Sequence, residues 1–156
     1  RNADSSSYIK WKIKMIFISH SEAETIDFAN DLSKKIQKGS VIALLGNLGS
    51  GKTVFAKGFA KGLQIKEHIG SPTFKIVSEY IGNPHNLYHI DIYRLNGSND
   101  FLKLGGEEFL NQNTGITIIE WADLIKDILP YNTIIISFKR MSNEQNRKII
   151  VKQFNK

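Results

Sequence analysis

The chain contains no cysteine, which excludes disulfides, cysteine-ligated zinc and thiol catalysis. No apolar run approaches the length that crosses a bilayer and no secretory signal is visible, so a soluble protein of the cytoplasm is expected. No internal repeat or low-complexity block appears. Arginine is scarce, with four in all and two of them near the C-terminus, which disfavours a lid built from several planar cations.

What is present is the composition of an ordinary globular domain: 156 residues, 41% hydrophobic and 23% charged. That length buries one substantial core, and two independent domains would be cramped. A single domain is expected over residues 15–156, preceded by an extension over residues 1–14 that is either appended or an added edge strand. Within it Arg1–Ser7 is polar and serine-rich, Tyr8–Ile13 alternates apolar and polar, and Met15 is a candidate original start. The formal charge is +6, but residues 1–14 carry +3 and residues 139–156 carry +5, leaving the body at −2. A solvated tail is the plain reading of such ends, and contact with a polyanion such as RNA is the sharper one.

Residues Gly46–Thr53 read Gly-Asn-Leu-Gly-Ser-Gly-Lys-Thr, an uninterrupted match to G-x-x-x-x-G-K-[ST]. The preceding Val41–Leu45 is continuously apolar, as a buried parallel strand would be, and the following Val54–Ala60 can form an apolar helical face. Strand, loop and helix thus stand in the order a phosphate-binding loop requires. Its glycines let successive N–H groups turn inward around phosphate oxygens at a helix N-terminus. Leu48, Gly49, Ser50, Gly51, Lys52 and Thr53 are the candidate nucleotide-binding residues, with Lys52 as a positive charge for the outer phosphates and the Thr53 hydroxyl suited to Mg²⁺. ATP or ADP with Mg²⁺ is the expected cofactor.

Ser21 followed by Glu24 fits a capping box, and Ile26, Ala29, Leu32, Ser33 and Ile36 recur at helical spacing until Gly39. After a phosphate-loop helix ending near Gly62, Phe74–Tyr80 reads as a strand, Gly82–Asn86 as a turn and Leu87–Asp91 as an antiparallel partner. Asn99–Leu110 reads as helix broken at Gly105-Gly106, Ile116–Glu120 as a buried strand, and Trp121–Leu129 as a short helix ended by Pro130. Final strands are expected near Thr133–Lys139 and Arg147–Phe154. The order implies an α/β fold of the P-loop NTPase type: a mixed sheet with a parallel core, antiparallel edge strands, and helices on both faces.

Two apolar runs end in an acid, Leu87–Asp91 and Ile116–Glu120. Ligands of open α/β sheets bind beyond the carboxyl ends of parallel strands, so either carboxylate can reach the metal that Thr53 would hold, or simply cap its strand. Glu120, on the more apolar and so more central run, is the candidate for the metal side; Asp91 is the candidate to orient or activate the attacking water. Lys52, Asp91 and Glu120 form the candidate catalytic set. Thr73 could sense a terminal phosphate or lie in a plain turn. His89 could face the site or sit as a satisfied core histidine. Arg94 could meet phosphate, Asp91 or a surface acid, and Trp121 could be core, partner surface or stacking platform.

Taken together, Gly46–Thr53, Ser71-Pro72-Thr73-Phe74, His89–Leu95, Leu104–Phe109 and Ile119-Glu120-Trp121 resemble the TsaE (YjeE) family in kind and order, over roughly Ser19–Lys139. That resemblance implies a bacterial ATPase of tRNA threonylcarbamoyladenosine biosynthesis, working with TsaD and TsaB without itself transferring the group. It implies phosphate and Mg²⁺ binding by Lys52 and Thr53, a metal role for Glu120, and importance of Asp91 and Trp121 for activity. Ser21 and Arg147 match weaker family positions near the base. Asn47 stands where the family loop commonly has Asp, at a position that contributes backbone more than side chain. Contact with tRNA would be direct or through the partners. A small-molecule kinase shares the loop but needs an acceptor pocket, and a guanine-specific switch is disfavoured because no Asn-Lys-x-Asp segment exists.

Overall fold

A computed structural model describes residues 10–155; Tyr8 and Ile9 of the expected first strand lie outside the described residues. The elements are β1 (Lys10–Ser19), α1 (Glu22–Ser33), β2 (Val41–Leu45), α2 (Lys52–Gly62), β3 (Val77–Tyr80), β4 (Asn86–Asp91), α3 (Ser98–Lys103), α4 (Glu107–Leu110), β5 (Gly115–Glu120), a 3-10 segment (Ala122–Ile128), β6 (Ile134–Arg140) and β7 (Arg147–Asn155). The strands form one sheet in the order β1-β7-β6-β2-β5-β4-β3. Neighbours from β6 through β2 and β5 to β4 are parallel. The flanking pairs β1/β7, β6/β7 and β3/β4 are antiparallel, so the sheet has the expected parallel centre and antiparallel edges.

Burial on both faces explains why the central strands are apolar without alternation. Ile42 and Leu44 of β2 pack with Phe55 and Phe59 of α2 and Ala29 of α1. Val41 and Ala43 point the other way, into a second core with Ile119 of β5, Phe101 of α3, Leu110 of α4 and Ile125 of the 3-10 segment. On the first face α1 and α2 approach closely: a Cβ on Gly58 would lie 2.4 Å from the Ile26 carbonyl, so only glycine fits that crossing. The start of α1 is fixed by Ser21, whose side chain accepts from the Glu24 N–H at 3.1 Å. Glu24 returns the bond to the His20 N–H at 2.7 Å, one residue before the cap, a shifted capping box.

Two strands differ from expectation: the first, expected over Tyr8–Ile13, continues through Ser19, and the third starts late. The strand expected from Phe74 begins only at Val77, because Ile76 adopts φ 69° and its N–H closes on the Pro72 carbonyl at 2.6 Å. A β-branched residue rarely holds that backbone region. Here the Ile76 carbonyl accepts from the Asp91 N–H at 2.8 Å, tying the turn to the end of β4. The short helix expected after β5 is present as a 3-10 segment, with Trp121 left-handed at φ 63° before it and Ile125 breaking the turn at φ −127°.

Candidate functional site

The phosphate loop leaves the carboxyl end of β2 and enters α2, with Gly49 at φ 73° and Gly51 at φ 110°, both backbone states that side chains resist. No side chain caps α2 and its first turn carries no acid, so the N–H groups of that turn face a cleft instead of a capping oxygen. Such an end attracts anions. The Ser50 N–H closes an internal turn on the Asn47 carbonyl at 3.0 Å, and the buried Ser50 side chain does not line the cleft. Leu48, Gly49, Gly51, Lys52 and Thr53 do line it.

This cleft, about 820 Å³, brings together residues from distant parts of the chain, among them Ser21, Ser71, Thr73, Asp91, Glu120 and Arg147. Sheet register explains the meeting of the two acids. Asp91 and Glu120 are direct partners across β4 and β5, and Glu120 is in turn the partner of Leu44, the penultimate residue of β2. Both carboxylates are 3% exposed, so each is held by specific donors. Glu120 Oε1 accepts from Thr53 Oγ1 at 3.2 Å, and its Oε2 lies 2.6 Å from His89 Nε2. Asp91 Oδ2 accepts from Ser71 Oγ at 2.9 Å and Thr73 Oγ1 at 2.8 Å, while Oδ1 accepts the Tyr93 N–H at 2.9 Å. Oδ1 therefore retains acceptor capacity for a water.

Lys52, 5% exposed, donates to the Gly46 carbonyl at 2.6 Å and lies 3.5 Å from the centroid of the half-buried Trp121 ring. Burial lowers its pKa below the ordinary 10.5, against the opposing attraction of Glu120, Asp91 and Asp123. The ammonium thus feels three acids but is short of water.

Sequence reasoning left His89 open between the site and the core, and it missed the contacts that Arg140 and Arg147 make to the phosphate loop. His89 is fully buried as the partner of Glu120, and its Nδ1 has no hydrogen-bond partner in the described structure. Arg140 donates to the Leu48 carbonyl at 3.2 Å and Arg147 to the Gly49 carbonyl at 3.3 Å, so two arginines flanking the β6/β7 turn brace the phosphate loop, and Arg147 also lines the cleft. The resemblance pointed to Arg147, with Ser21, near the base, and both line the cleft; nothing in the sequence pointed to Arg140. Arg94 reaches neither phosphate loop nor Asp91; its guanidinium lies 4.2 Å from the ring centroid of Phe74.

Comparison with known proteins places this geometry. The family model for "Threonylcarbamoyl adenosine biosynthesis protein TsaE" matches residues 19–149. The chain belongs to the TsaE family. It is 39% identical over 134 residues to the TsaE of Treponema pallidum, covering 86% of this chain and 97% of that one. It is 37% identical over 145 residues to the TsaE of a Nostoc species, covering 90% and 86%. The crystal structure of Bacillus subtilis YdiB superposes with a TM-score of 0.79 at 32% identity, over 92% of this chain and 87% of that chain. The family match starts at the end of β1 and runs into β7, so it includes the Arg140 and Arg147 contacts that this TsaE chain makes to its phosphate loop. Among the described residues no helix is long and apolar enough to cross a membrane.

Proposed function

We propose that this chain binds ATP with Mg²⁺ in the cleft and hydrolyses it, and that hydrolysis serves the tRNA threonylcarbamoyladenosine modification named in its relatives, through TsaD- and TsaB-type partners. The observation that carries the reading is the convergence of Thr53 and Glu120, 3.2 Å apart, beneath an uncapped helix N-terminus.

The donor set suits magnesium. Thr53 and Glu120 offer hard oxygens, and the described residues contain no group of three or more histidines and acids that would hold an ion alone. Mg²⁺ is commonly held by one or two protein oxygens with phosphates and waters completing its shell. When bound it would neutralise charge on the outer phosphates.

The chain's own residues supply the rest. N–H groups at the start of α2 hold phosphate oxygens, and Lys52 leaves the Gly46 carbonyl to meet the terminal phosphate. Asp91, fixed by Ser71, Thr73 and the Tyr93 amide, presents Oδ1 to orient a water. Arg140 and Arg147 brace the loop by holding its carbonyls. Trp121 walls the cleft and shields Lys52 from solvent.

Purified protein with ATP and Mg²⁺ should release inorganic phosphate, faster with the partner proteins present. Lys52→Ala and Glu120→Ala should each suppress release at least tenfold. Unchanged rates in both variants would remove the assignment.

A further inference from the structure

We infer that His89 is a positioning residue for the proposed reaction: from inside the sheet it fixes the Glu120 carboxylate so that a single oxygen, Oε1, faces the metal side of the cleft. The inference rests on the ATP and Mg²⁺ reading above. Its geometry comes from sheet register. His89 lies two residues before Asp91 and so shares its face of β4, while Asp91 pairs with Glu120 across β4 and β5. The Glu120 side chain therefore reaches back diagonally from the end of β5 to an imidazole one step deeper in the sheet, with His89 Nε2 2.6 Å from Oε2.

An ionised carboxylate only accepts, so it is His89 Nε2 that carries the hydrogen in that contact. Among the described residues the Glu120 carboxylate has two side-chain donors, Thr53 on Oε1 and His89 on Oε2. They differ in kind. Thr53 lines the cleft, where its hydroxyl turns with whatever binds, whereas His89 is fully buried and lines no part of the cleft. A glutamate side chain has several torsions to immobilise, and the enclosed donor is the one that holds them whatever occupies the cleft.

A plainly structural core histidine would be satisfied at both ring nitrogens. His89 Nδ1 has no hydrogen-bond partner in the described structure, and Leu87 and Ile90 of the same strand are fully buried apolar residues. An apolar side chain at such a position avoids the cost of an unpaired polar atom, so what the imidazole contributes is its one bond, to Glu120. The Asp91 carboxylate, by contrast, is held by Ser71, Thr73 and the Tyr93 amide and has no such partner deeper in the sheet. Groups behind a metal-facing side chain orient it, and losing one typically costs about 10–100-fold in metal affinity.

The test is calorimetric titration of ATP into the full chain with Mg²⁺ and with EDTA, reading the factor by which the metal tightens nucleotide binding. Wild type should show a factor above about ten, and His89→Leu, which fills the imidazole volume without a donor, should bring it close to one. His89→Gln places an N–H near the Nε2 position and should keep most of the factor. His89→Asn, whose amide ends at the Nδ1 position, should lose it as leucine does, so a leucine variant that fails to fold leaves glutamine against asparagine to decide. Because His89 acts through Glu120, His89→Leu should cost nothing further in a Glu120→Gln chain, whereas a merely structural role would add its loss in both backgrounds. Wild-type factors in the donorless variants, or additive losses in the double variant, overturn the inference and leave the ATP reading intact. A factor near one in wild type would remove the metal from the proposed site and the inference with it.

Discussion

The Lys52 ammonium lies over the Trp121 ring, 3.5 Å from its centroid, while donating to the Gly46 carbonyl. Trp121 reaches that position because its backbone is left-handed, at φ 63° and ψ 30°, immediately after Glu120 at the end of β5. A triphosphate competes with both contacts for the same cation. Adding MgATP should therefore change indole emission in wild type and leave emission nearly unchanged in Trp121→Phe, whose remaining tryptophan is Trp11. An undiminished signal in the variant contradicts the arrangement.

Burial sets the sign of a pH effect. It depresses the Lys52 pKa below 10.5, so between the folded and unfolded values the folded chain binds fewer protons. The cost of burying the ammonium is fully present below the folded pKa and is relieved as pH rises toward 10.5. A bound triphosphate gives the cation a close partner and raises its pKa, so binding in the alkaline part of that window should take up a proton. Calorimetry in buffers of different ionisation enthalpy should show this uptake in wild type but not in Lys52→Met. Buffer-independent heats across the alkaline range would contradict it.

His89 is the buried support of Glu120, Nε2 to Oε2 at 2.6 Å. His89→Ala removes a donor from a carboxylate that is 3% exposed, and the expected loss is roughly 1.5–3 kcal/mol in urea unfolding. His89→Gln, which retains an N–H donor, should recover part of it. An unchanged unfolding midpoint in the alanine variant would show that the bond contributes nothing.

Gly58 tests the helix pair independently of the site. Its Cβ would fall 2.4 Å from the Ile26 carbonyl and 2.9 Å from the Ala29 Cβ, so Gly58→Ala must push α1 and α2 apart. A loss of about 1–3 kcal/mol is expected, the usual range for overpacking, despite alanine's better helix propensity. Stabilisation instead would mean that the crossing has room to relax.

Where the sequence was legible, local chemistry and sheet physics agreed. Val41–Leu45, Ile116–Glu120 and the loop between Gly46 and Thr53 announce a buried parallel strand pair and an anion-binding turn, and the structure places β2 and β5 side by side. The acids at Asp91 and Glu120 could be located at strand ends by pattern, but their pairing depends on register, which no local signal encodes. The resemblance marked Arg147 as near the site, but the carbonyl contacts of Arg140 and Arg147 were not legible because they span 92 and 98 residues. Ile76 and Trp121 took left-handed backbones against their intrinsic preference, since contacts around Asp91 and Lys52 outweigh propensity there.

The most direct test of the central claim is calorimetric titration of MgATP into the folded chain and into Lys52→Ala. Saturable heat with one site in wild type, and none in the variant at the same concentrations, is the predicted result. Absence of heat in folded wild type with MgATP or MgGTP, or equal affinity in Lys52→Ala, would contradict the account.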